Sequence, residues 1–139
     1  MNYKNLILIL TILTFGLVSG QNQSAENINV RYLYGNDSEV WEVNKIEPND
    51  RIILTKRLEY KSEYKELVTI FYNNGGLKTG YPKNSEKHDG KTTPKIGTWK
   101  IDQSNRTLTT TISLGDFGNK FLILELNTDR LILMKFNKE

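Results

Sequence analysis

Apolar and polar positions alternate along most of this chain with a period of two, the pattern of strands that bury one face. Ile28-Asn-Val-Arg-Tyr-Leu-Tyr34 shows it first and ends at Gly35-Asn-Asp37. Val40-Trp-Glu-Val-Asn-Lys-Ile46 repeats it and stops at Pro48-Asn-Asp50, where proline presets a turn. Arg51–Leu58 and Leu67–Tyr72 follow, and Asn73-Asn-Gly-Gly76 is a hairpin signal because Asn and Gly tolerate positive φ. Leu77–Tyr81 is the returning strand. After a long polar stretch, Pro82 to Lys95, strands are predicted at Ile96–Ile101, Thr107–Leu114, Lys120–Leu126 and Leu131–Phe136. The short links among these last strands predict antiparallel neighbours.

Arg57 to Leu67 reads two ways. Tyr60, Tyr64 and Leu67 have helical spacing, while Leu58, Tyr60, Ser62 and Tyr64 alternate. Two strands joined near Lys61–Glu63 are the preferred reading, with a short helix left open. The total is about eight or nine short strands with regular turn signals, which predicts a sandwich or barrel. An all-β, single antiparallel up-and-down barrel of about eight strands removes exposed sheet edges. At that size the interior is either filled by side chains or holds one small ligand.

One segment breaks the pattern. Lys4 precedes an unbroken apolar run from Leu6 to Val18, then small Ser19-Gly20 and polar Gln21-Asn-Gln-Ser24. This is the layout of a secretory signal peptide. The run is shorter than the roughly 20 residues of a spanning helix and lacks a cationic stop. Residues 1–20 are therefore expected to be a cleaved leader and 21–139 one exported domain, periplasmic or secreted, with no membrane anchor after cleavage. The chain has no Cys, so neither a lipidated cysteine nor a disulfide is available. The domain must rely on its core, and its length suffices to bury roughly two thirds of its unfolded surface. Three sequons, at Asn22, Asn36 and Asn105, read as chance matches for an exported bacterial protein.

Charge adds little. The formal net charge is +3, and acidic and basic residues interleave. No basic stripe that could track phosphates is visible, so no nucleic-acid partner is expected.

The order of the pieces carries a resemblance. Glu39-Val-Trp41-Glu-Val43, Thr69-Ile-Phe71-Tyr-Asn-Asn-Gly75, Ile96-Gly97-Thr-Trp99-Lys-Ile101 and Phe121-Leu-Ile123 through Leu126 to Leu131-Ile-Leu133 follow one another. In that order they resemble the small exported lipocalin-like domains of bacteria, over residues 38–137. The sequence departs from true lipocalins, whose Gly-x-Trp lies near the start and which often carry cysteines. The resemblance implies a barrel able to carry an apolar molecule.

The catalytic inventory is thin. His88, the one histidine, lies in the polar stretch with Ser85 and Asp89, where no rigid scaffold orients a nucleophile and base. Glu39, Glu42 and Glu125 are the strand-borne carboxylates that could flank a glycosidic bond. Glu125 sits between Leu124 and Leu126 and reads first as an outward residue beside a bulge, with an inward polar group that orients a ligand head as the functional alternative. Asp116 and Asn119 are accounted for by turns, and no calcium or phosphate loop occurs. No enzymatic activity, metal or cofactor is expected. Aromatic side chains offer the best binding material, chiefly Trp41, Phe71, Trp99 and Phe121 on the barrel interior, Trp99 being expected at its middle, with core packing as the alternative role. The reading is an exported, non-enzymatic domain that binds a small apolar or amphipathic molecule. The alternative is a solid barrel, an accessory or inhibitor-like domain that binds a protein partner through loop 82–95.

Overall fold

A computed structural model describes residues 27–87 and 93–136. The segment expected to be a leader, residues 1–20, and His88 and Asp89 lie outside the described residues. Eight strands form: β1 Ser38–Glu47, β2 Arg51–Arg57, β3 Val68–Tyr72, β4 Gly76–Gly80, β5 Lys95–Asp102, β6 Thr107–Thr110, β7 Lys120–Leu126 and β8 Arg130–Lys135. They close into one barrel in the order β2-β1-β3-β4-β5-β6-β7-β8 and back to β2, with every pair antiparallel. The expected class, an all-β eight-stranded antiparallel barrel, is what the chain forms. One link joins strands that do not pair. β2 and β3 both flank β1, so residues 58–67 run from one end of the barrel to the other.

Turn chemistry sets these pairings. Asn49 and Asp50 have φ of 66° and 57°, so two left-handed residues close the three-residue link between paired Glu47 and Arg51. Gly75, at φ 82°, turns β3 into β4, and the Asn74 side chain accepts the Gly76 N–H at 2.9 Å.

Alternation then decides the core. Trp41, Val43, Ile52, Leu54, Phe71, Leu77, Leu108, Phe121, Ile123, Leu131 and Leu133 all point inward and are buried in one cluster. Thr69 and Thr79 join them, their hydroxyls hydrogen-bonded to each other at 2.9 Å, so the polar pair enters the core satisfied.

Both ends are stoppered. Residues 28–34, read from the sequence as a strand, instead bury Ile28 and form a one-turn helix, α1 Arg31–Tyr34. A closed barrel leaves no free edge for a ninth strand. The segment buries its apolar groups as a plug. Leu33 is fully buried, the Trp41 indole N–H donates to its carbonyl at 2.9 Å, and Gln103 donates to the Ile28 carbonyl at 3.0 Å. The opposite end is closed by Leu67 and Leu114. There Gly115, at φ +56°, lies so close to Leu67 that a Cβ would come within 3.2 Å of its Cδ2.

Residues 58–67 are neither of the strands expected there, nor a helix. With no edge to pair on, they cross the outside of β1. The Arg57 guanidinium bonds the Glu42 carboxylate at 2.8 Å and lies 5.4 Å from the Tyr64 ring centre, while the Leu67 carbonyl accepts the Val43 N–H at 2.9 Å. The strand expected over 107–114 stops at Thr110, because Thr111 exchanges two hydrogen bonds with Thr98 and turns over side-chain-free Gly97.

Candidate functional site

The four aromatic candidates do converge. Trp41, Phe71 and Phe121 are fully buried in the core cluster, and Trp99 packs against it. Trp99 is not at mid-barrel. It sits half-buried at the α1 end, its ring 5.7 Å from Tyr34 in a stack and 6.1 Å from Phe71 edge-on, and its indole N–H donates to the Tyr72 carbonyl at 3.0 Å. Among the described residues three cavities stand out, and none is lined by these four residues.

The carboxylates singled out for glycoside chemistry are held apart. Glu39 faces the inner side at the α1 end and pairs with Lys56 at 2.8 Å; Glu42, on the outer side, pairs with Arg57. Glu125 lies beside a register shift of β7, as expected, and takes a two-pronged bond from Arg130 at 2.9 and 3.0 Å. Ser85 is buried in a turn, its hydroxyl accepting the Lys87 N–H at 3.2 Å.

At the α1 end a polar cleft of about 220 Å³ lies among Asn29, Arg31, Asn36, Glu39, Lys56 and Thr128. Its groups are largely consumed by each other, with Arg31 donating to Asn36 at 2.6 Å and Lys56 engaging Glu39. At the opposite mouth a cavity of about 250 Å³ is framed by Leu67, Tyr81, Lys87, Lys95, Ser113 and Asp116. Burial, and then the Asp116 carboxylate, push the Tyr81 hydroxyl above its ordinary pKa, so it stays protonated at neutral pH. The hydrogen bond to Glu66, 3.1 Å long, raises the Lys87 ammonium, which remains charged. A neutral phenol and a paired ammonium can hold a polar group here; neither is poised as a base or nucleophile.

A third hollow lies on the outer wall, a trough of about 280 Å³ lined by Tyr60, Val68, Ile70, Lys78, Gly80 and Pro94, with Thr79 and Tyr81. Its origin is local. On β4 the residues that alternate outward are Gly76, Lys78 and Gly80, so two of three outer positions carry no side chain. The strand is thus a shallow floor with one lysine on it. Val68 and Ile70 of β3 form one wall. Pro94 forms the other, and Gly80 allows it close, since a Cβ there would meet Pro94 Cα at 3.2 Å. Tyr60 from the crossing segment closes one side. The trough was not found from the sequence, although the Gly-x-Lys-x-Gly alternation of 76–80 is its visible trace.

Among the described residues no group of three or more His, Cys, Asp or Glu is placed to hold a metal, and no helix is long and apolar enough to cross a membrane. No protein-family model matches the chain, and neither a curated protein nor a solved structure does.

Proposed function

We propose that this chain is an exported, non-enzymatic accessory domain that binds a protein partner on the outside of a filled, lipocalin-like barrel. The observation that carries this reading is the interior. Trp41, Phe71, Phe121, Leu54, Leu108, Leu131 and Leu133 occupy it with at most 1% of their surface exposed, and both ends are stoppered. Side chains at that burial leave an apolar cargo no place without displacing the core, and interiors packed at crystal-like density resist such displacement. What remains for recognition is the outer wall with its trough. The leader-like segment 1–20 supports export.

This reading weighs against the interior carrier that the sequence resemblance implies. Titration with oleate and with retinol, read by tryptophan emission and by melting temperature together, separates the two. The expected result is that neither signal moves. A saturable emission change with a rise in melting temperature reveals an interior ligand and refutes the reading. Occupancy at a hundred-fold excess over Kd stabilises by about 2.7 kcal/mol, a shift easily seen.

A further inference from the structure

We propose that the trough on the outer wall of β3, β4 and β5 is a docking site for a segment of a partner protein that carries an apolar or aromatic anchor flanked by acidic residues. The inference rests on the reading above, and it names the surface and the partner's chemistry. A closed barrel has no free edge, so a partner segment cannot add itself as a strand, and recognition must run through outward side chains. Along the wall these side chains form an ordered pattern. Ile70, Lys78 and Ile96 stand on one rung of three adjacent strands, apolar-basic-apolar, and Val68 and Gly80 form the next rung. Ile96 keeps 78% of its surface exposed, an isolated aliphatic on an outer wall. The anchor fits between Tyr60, Ile70 and Pro94.

Charge decides the flanks. Lys78 and Lys100 enter no ion pair among the described residues. Lys100 lies on β5 with the outward parity of Ile96 and about 13 Å from it along the strand, whereas Lys95 pairs with inward Thr79 and belongs to the mouth cavity. The acids of the crossing segment and of the β5 turn are already engaged. Glu59 and Glu63 approach Lys61 at 3.6 and 3.9 Å, Glu66 pairs with Lys87, and Asp102 is held in its own turn by Ser104 and Asn105. Two uncommitted lysines on the wall, Lys78 in the hollow and Lys100 beyond it, complement an acidic segment with one greasy residue, and buried anchors with charged rims are how such interfaces divide affinity and specificity.

The test uses the mature chain, labelled with nitrogen-15, and a hexapeptide with Trp-Leu between two acidic pairs. Amide shifts should be confined to Ile70, Lys78, Gly80 and Ile96 and should weaken with added salt. Lys78→Glu should weaken binding by about tenfold or more, and Tyr60→Ala should weaken it as well. Both positions are exposed, so melting temperature should not change, while Lys45→Glu on β1 should bind as the wild type does. Equal binding of a peptide with lysines in place of its acids overturns the proposal, as do shifts that map elsewhere or no shifts at millimolar peptide. Binding to phosphatidylglycerol vesicles with the same Lys78 dependence, and not to the peptide, overturns it in favour of a membrane surface. An unmoved Trp41 indole resonance under oleate, with a failed peptide, sinks this inference alone. A Trp41 shift under oleate sinks the filled-barrel reading as well.

Discussion

Trp41 concentrates several roles in one residue. It fills the barrel beside Phe71, and its indole N–H ties the α1 plug to the wall through the Leu33 carbonyl. Trp99 has a hydrogen bond of its own but is half-buried. Trp41→Ala should therefore cost about 3–5 kcal/mol, more than Trp99→Ala, and Lys87→Ala should cost little. Urea midpoints of the three variants check the order. A second residue-scale prediction concerns Asp102, whose carboxyl is held below its ordinary value by hydrogen bonds from Ser104 and Asn105. A lowered folded pKa means the turn's contribution is present above the unfolded value of 3.8 and is lost as pH falls through the folded one. Asp102→Asn should remove that part of the acid sensitivity, which melting between pH 5 and pH 2 would show. The inward set at this scale was legible in the sequence, since Trp41, Phe71 and Phe121 each sit in a clean alternation. The uncommitted lysines were not, because pairing depends on strands distant in sequence.

At the scale of elements, the eight barrel strands could be read because β-branched and aromatic alternation is local, and so are the Pro48-Asn49-Asp50 and Asn73–Gly76 turns. Residues 28–34 and 58–67 could not, because both carry alternation that a strand would share. What decides them is non-local: closure leaves no edge, so one becomes a plug and the other a strap. The strap lays Tyr64 over a β1–β2 ion pair, Arg57 with Glu42, and Glu42 is almost fully buried at 7% exposure. Arg57→Ala leaves that carboxylate without its cation, and the double variant Arg57→Ala/Glu42→Gln removes the stranded charge. The double variant should thus be more stable than Arg57→Ala alone, the reverse of additivity. A double-variant cycle by chemical denaturation measures it, and an additive or lower stability would show that the buried carboxylate does not depend on its cation. The trough depends on the same strap through Tyr60, and it escaped sequence reading because its floor is made of missing side chains.

For the whole molecule, the question that organises function is whether the barrel is a container or a wall. Eight strands permit either. The packing of Leu54, Leu108, Leu131 and Leu133 around the aromatic centre, with a stopper at each end, makes it a wall, and the proposed recognition therefore lies on the outer surface. Xenon enters apolar voids and leaves filled cores alone. The direct measurement is the methyl spectrum of these four leucines under xenon pressure, recorded on the wild type and on Leu131→Ala, which opens a void among them. The account predicts saturable shifts in the variant and none in the wild type. Saturable shifts in the wild type would mean a hollow barrel and would contradict it.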